Sequence, residues 1–214
     1  MTDRRALFVE TALAAQTLLF EPALAERFDQ PSALAEFPVR GLAGHLLRAL
    51  TSVEGYLDAP GPETGATPVS PAGYYAAVAA AGGDVGSELN RAVRQRGLEQ
   101  AAGTAGELAL AWGDTAARLA DRLEREPAGR LVRVFGDMVL TLDDYLVTRL
   151  VELVVHADDL AASLAVPPPP LPAAATGLVI ATLVEVARIR HGDAAVLRAL
   201  ARRERDAVGA LRVL

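Results

Sequence analysis

The 214-residue chain contains no cysteine, which excludes disulfides and thiolate-held zinc, so any metal must be bound by imidazole and carboxylate. All 21 basic residues are arginine, which excludes a catalytic lysine and reads as the codon bias of a GC-rich genome. The net charge of −6 argues against a nucleic-acid partner. A hydrophobic content of 51% supports a core without staples, and scarce aromatics beside abundant Ala and Leu favour helices over strands.

Asp3 to about Phe20 reads as a first amphipathic helix, with Leu7, Phe8, Leu13, Leu18 and Leu19 as its apolar positions. The run also resembles a signal peptide cleaved near Ala23-Leu24-Ala25, but Glu10 and Gln16 interrupt it and the helix is the better reading. A short continuation to Phe28 precedes a turn at Asp29–Ser32. Pro38 suits the first turn of a second helix running to about Tyr56, with Val39, Leu42, Ala43, Leu46, Leu50 and Val53 as its stripe. Residues 58–73 are rich in Pro and Gly and read as a loop.

A helix is expected from about Pro71, pausing at Gly82-Gly83 and resuming from Asp84 to about Gly97. Another covers Thr104 to Glu126, with Leu108, Leu110, Trp112, Leu119 and Leu123 facing the core. Residues 131–140 are β-branched and turn at Gly136-Asp137, which predicts a small hairpin. Thr141, with Asp144 three residues on, is a helix-start signal. The helix it opens runs to about Ala165 and is ended by Pro167–Pro170. Further helices are expected over Ala173–Arg190 and Asp193–Arg205. The result is an all-α bundle of four principal helices with accessory C-terminal helices and a small β-hairpin. Residues 1–166 form the bundle and 167–214 a helical extension packed on it. No segment is long and apolar enough to span a membrane, so a cytoplasmic protein is expected.

Three histidines are present. His191 stands in a polar helix end and reads as a surface residue. His45 lies beside the apolar stripe of the second helix, with Gly41 and Ala49 one turn away on either side. Those small neighbours would admit another helix and leave room for an inward imidazole; a boundary histidine bonded to a neighbour fits too, and the segment alone favours that. Arg48, on the same helix, belongs to no basic cluster of the kind DNA readers carry.

Glu152 and His156 interrupt the most apolar stretch of the chain, four residues apart and so one turn apart on one helix face. Arg149 and Asp159 extend this polar stripe. A carboxylate and an imidazole in that arrangement can hold a divalent metal if a third ligand arrives from another helix. A solvent-facing stripe, with Arg149 paired to Glu152, accounts for the same residues. Apolar residues on the other faces point to an inward stripe, and an inward glutamate needs a cation or a donor. Arg149 and a metal both meet that need. As a metal site, His45, Glu152 and His156 would suit Zn²⁺ and leave one position open. Asp159 could then orient a ligand, and Arg149 could contact substrate or thiol.

Two segments resemble a known family. Residues 30–46, QPSALAEFPVRGLAGHL, and residues 149–160, RLVELVVHADDL, are similar to motifs of actinobacterial mycothiol-dependent maleylpyruvate isomerase-like proteins, a branch of the DinB-like metal-binding bundles. The resemblance implies a DinB-like four-helix bundle that binds a divalent metal, usually zinc, through His45, Glu152 and His156. It also implies mycothiol as cosubstrate. Phe37 stands where the family usually has Trp, and the residues after the proline run read as helices where the isomerases carry an α/β domain. The expectation is therefore a thiol-dependent isomerase or S-transferase, with metal-bound thiolate attacking a small electrophile. A non-catalytic metal-binding or stress-response bundle, or a structural and homodimerising one, is the alternative.

Overall fold

A computed structural model describes residues 3–63, 65–82, 86–201 and 208–213. The described residues are all-α apart from one hairpin. Its helices are α1 (Arg4–Ala15), α2 (Pro22–Arg27), α3 (Val39–Asp58), α4 (Pro71–Gly82), α5 (Glu88–Gln100), α6 (Ala105–Arg125), α7 (Leu142–Leu164), α8 (Ala173–His191), α9 (Asp193–Ala201) and α10 (Val208–Leu211). The first predicted helix is really two segments, because α1 tightens into a 3-10 turn over Gln16–Phe20. The resumption expected at Asp84 lies outside the described residues, as does Arg205; α5 is seen from Glu88.

The helix ends follow local chemistry. Asp3 caps α1 by accepting from the backbone N–H of Arg5 and Ala6. Thr104 and Glu107 form a reciprocal capping box on α6. Thr141 caps α7 by accepting from the N–H of Asp144 at 3.0 Å, but the Asp144 carboxylate turns away to pair with Arg4. Arg5 donates to the carbonyls of Leu123 and Glu126 and closes the C-terminal end of α6.

Four helices make a closed ring: α1 packs on α6 and α7, and α3 packs on the same two. Between them lie Phe8, Leu42, Leu46, Leu50, Trp112, Leu119, Leu146, Leu150 and Leu153, all essentially buried. The Trp112 indole N–H donates to the Ala12 carbonyl. Outside the ring, α5 lies against α3, α4 rests on α7, and α8 covers α4 and α7. Two apolar residues assigned to the core face out instead: Leu13 is 53% and Leu110 70% exposed. Leu110 is two residues, roughly 200°, round the helix from the buried Leu108.

The hairpin pairs β1 (Leu131–Arg133) with β2 (Val139–Thr141), Val132 opposite Leu140. Its turn uses left-handed backbone at Gly136 and Asp137. The Val69 N–H bonds to the Val139 carbonyl at 2.8 Å, so the long loop is tied to the hairpin just before α4 begins. That anchor sets the place of α4 against α7.

Candidate metal centre

The first half of the α7 polar stripe, Arg149 and Glu152, lines a partly open cavity of about 370 Å³ between α3, α4, α5 and α7. His45 and Glu152 form part of its wall; His156 stands beside them, outside the lining. His45 reaches this position because α3 and α5 cross at glycine. A Cβ on Gly97 would lie 2.6 Å from the Gly41 carbonyl oxygen and 3.4 Å from His45 Cβ. The small residues at this crossing are Gly41 and Gly44, with Gly97 opposite.

All five residues singled out from the sequence meet here. His45 Nε2 donates to Glu152 Oε2 at 3.0 Å, and His156 Nε2 approaches the same oxygen at 3.4 Å. The rings meet edge to face, with centroids 4.8 Å apart. One donor atom from each of His45, Glu152 and His156 lies within 4.8 Å of the others, a group able to hold a metal ion. Donors around a tetrahedral zinc ion stand roughly 3.3 Å apart, so both spacings to Glu152 suit one. His156 Nδ1 donates to Asp159 Oδ2 at 2.9 Å, which turns its Nε2 toward Glu152. His45 Nδ1, by contrast, is buried without a partner. His191 is exposed at the end of α8, away from the group.

The charges are strongly coupled. Burial would raise the Glu152 pKa, but the hydrogen bonds from His156 and His45 and the charge of Arg149 outweigh it and hold the carboxylate well below its ordinary range. Burial would lower His156, yet Asp159 and Glu152 push it up to about 9, so it is an imidazolium when no metal competes. Burial dominates at His45 and lowers it, leaving that ring neutral. Arg149 Nη2 is 3.9 Å from Glu152 Oε1, and its guanidinium stacks 4.9 Å from the Tyr145 ring centroid.

Several lining residues escaped the sequence reading. The Tyr75 hydroxyl stands 2.8 Å from both Glu152 Oε1 and the Thr148 carbonyl, which fixes the far oxygen of the carboxylate. Arg48 and Ser52 continue the line of His45 at one and two turns along α3, a spacing that a search for polar residues on this apolar helix would have found. Tyr145 extends the α7 stripe one turn before Arg149 in the same way. Tyr75, on a helix without apolar periodicity, and Arg96, on a largely polar one, gave no such signal.

The family model of the mycothiol maleylpyruvate isomerase N-terminal domain matches residues 9–161. The chain belongs to this family. The match takes in most of the bundle ring, the residues that line the cavity and every residue of the His45–Glu152–His156 group. Membership in the mycothiol maleylpyruvate isomerase N-terminal domain family agrees with the DinB-like helical bundle described above. Comparison with curated proteins and with solved structures gave no match. No helix among the described residues is long and apolar enough to cross a membrane.

Proposed function

We propose that this protein binds a divalent metal, zinc by preference, through His45 Nε2, a Glu152 oxygen and His156 Nε2. We further propose that it uses mycothiol as a cosubstrate, either to isomerise a small electrophile or to take it up on the thiol sulfur as an S-transferase. The observation that carries the reading is the convergence of two imidazoles and a carboxylate beside a cavity large enough for a small ligand. Three protein ligands leave one position of a tetrahedral ion to an outside group, the arrangement of catalytic sites. A metal held there supplies a Lewis acid that favours the deprotonated form of an arriving thiol at neutral pH. The thiol must come from outside, since the chain has no cysteine.

The protein's own groups do the positioning. Asp159 holds His156 with Nε2 toward Glu152. Tyr75 engages Glu152 Oε1 and leaves Oε2 to the imidazoles. Arg149, fixed on Tyr145, offers a charge that can meet an anionic part of thiol or substrate. In this reading residues 1–166 are the metal-binding unit and 167–214 a helical cover.

One observation favours a second reading, a bundle without turnover. Both Glu152 oxygens already have protein partners, His45 on one and Tyr75 on the other, so the carboxylate is satisfied without a metal. Elemental analysis beside His45→Ala and Glu152→Gln separates the readings. Near-stoichiometric metal lost in both variants, with mycothiol consumed when a chlorodinitrobenzene is offered, supports the enzyme. Metal without thiol consumption supports a binding module, and no metal after titration with zinc supports a structural network.

A further inference from the structure

The metal centre lies at the α3–α7 seam of the ring, and the seam opposite, between α1 and α6, is built differently. The accessory helices gather elsewhere: α5 lies against α3, α4 rests on α7, and α8 covers α4 and α7. The seam between α3 and α6 is closed by the ion pairs Arg118–Glu54 and Arg122–Asp58. That between α1 and α7 is closed by Arg4–Asp144 and Arg5–Asp143. Among the described residues no ion pair joins α1 to α6, and α2 meets this seam only at its end. Two shallow depressions lie in line along it instead. One, of about 580 Å³, has Val9 and Leu13 facing Ala120; the other, of about 440 Å³, has Phe20 facing Gly106 and Leu110. Gln16 lies across the step between them, 3.1 Å from where a Cβ on Gly113 would stand. Phe20 is 68% exposed, comparable with Leu13 and Leu110. Three large apolar side chains held outward along one seam leave wet surface that a partner would bury.

We propose that the α1–α6 seam is a docking groove for a basic amphipathic helix of another protein. The α6 helix spans 21 residues, roughly 30 Å, so the groove accommodates about five helical turns. The start of α1 meets the end of α6, and the 3-10 turn meets its beginning, so the two walls run antiparallel along that whole length. Gly106 and Ala117, exposed on either side of Leu110 along α6, let an incoming backbone approach between the apolar side chains. Charge selects the occupant. Every arginine of α1 and α6 is committed to a carboxylate: Arg4 and Arg5 to α7, Arg118 and Arg122 to α3, and Arg125 to Asp121 of its own helix. The first depression is lined by Asp3, Glu10 and Glu124, and the second by Glu21. A second copy of this seam would set those carboxylates against their own kind, and an anionic lipid surface would be repelled by them. A helix with apolar residues at i, i+3, i+4 and i+7 and Lys or Arg on its flanks meets both the apolar floor and the acidic rim. The groove is on the far side of the ring from the cavity, so the proposal stands apart from the chemistry of the metal centre.

Fluorescence anisotropy with the full chain tests it, using labelled peptides of about five helical turns. One has Leu and Lys in amphipathic-helix order, one has the same residues scrambled, and one keeps the order with Glu in place of Lys. The ordered Leu/Lys peptide is expected to bind at least about tenfold more tightly than either control. Phe20→Ser and Leu110→Ser are each expected to weaken that binding about tenfold. Glu10→Gln combined with Glu124→Gln should weaken it and flatten its salt dependence. Leu197→Ser, at a comparably exposed leucine on α9, should leave it unchanged. All these side chains are exposed, so the variants are expected to keep the fold, which thermal melts verify. Equal binding of the scrambled peptide, or unchanged affinity in Phe20→Ser and Leu110→Ser, overturns the proposal. So does an equal loss in Leu197→Ser. Self-association in sedimentation that Leu110→Ser abolishes would assign the seam to a second copy and overturn it as well.

Discussion

Gly44 of α3 and Gly97 of α5 pass backbone to backbone: a Cβ on Gly44 would sit 2.1 Å from the Gly97 carbonyl oxygen. The obstacle is main chain, so no change of rotamer relieves it. Gly44→Ala must push α5 off α3, and is expected to destabilise the protein by about 3 kcal/mol or more. Gly55 stands on the same helix with nothing within 4 Å of its would-be Cβ. There alanine is expected to stabilise by about 0.5–1 kcal/mol through helix propensity alone. Denaturant unfolding of the two variants should shift in opposite directions; a common direction would mean that the crossing is not what holds α5.

The contact between His156 and Asp159 is separable from the fold. It lies on one helix, at 2.9 Å, with both side chains partly exposed. Asp159→Asn keeps the shape and removes the charge that steadies the imidazole. Zinc affinity is expected to fall about 10–100-fold with little change in helicity. Competition against a chromophoric chelator reads this directly. Wild-type affinity in the variant would reduce Asp159 to a surface partner.

The α7 half of the site was legible because its helix is otherwise apolar. Arg149, Glu152, His156 and Asp159 break that pattern at helical spacing, and burying them demands partners. His45 was readable from small neighbours, although the decisive ones proved to be Gly41 and Gly44. What stayed hidden depends on contacts between distant helices. Tyr75 sits on α4, whose sequence carries almost no amphipathic signal, and Arg96 on the strongly polar α5, and nothing local says that they meet α3 and α7. Leu13 and Leu110 were misread by residue type, since both are exposed leucines on helices that bury others. The ring of four helices followed from periodicity and caps; the cavity on its flank did not, because it exists only where two glycines let α5 come close.

Metal-free protein should lose stability as pH rises. The folded His156 pKa is raised from the ordinary 6.5 to about 9, so its contribution is fully present below about 6.5 and is lost as pH climbs through about 9. Glu152 acts at the other end: its depressed pKa contributes above the ordinary 4.5 and fades as pH falls below it. Metal binding must displace the His156 proton, so zinc affinity should rise across the window in which the metal-free form weakens. Thermal melts with and without chelator should therefore diverge toward alkaline pH. His156→Gln should flatten the metal-free profile between about 6.5 and about 9; an unchanged slope in that variant would assign the titration to another group.

The C-terminal end of α7 carries a correctable strain. Ala165 is exposed with φ 57°, in the left-handed region, while its N–H bonds back to the carbonyls of Ala161 and Ala162. The Val166 N–H completes the closure to Ala161 at 3.1 Å. An alanine in that conformation costs about 1–2 kcal/mol, and glycine does not. Offset by the greater freedom glycine gives the unfolded chain, Ala165→Gly is expected to stabilise by about 0.5–1 kcal/mol. The same substitution at Ala162, three residues earlier and exposed within the helix, should destabilise by about 1 kcal/mol. Opposite shifts in the unfolding midpoint for one chemical change on one helix would isolate the backbone conformation as the cause. A loss of stability at both positions would show that the α7 terminus does not hold Ala165 in the left-handed form.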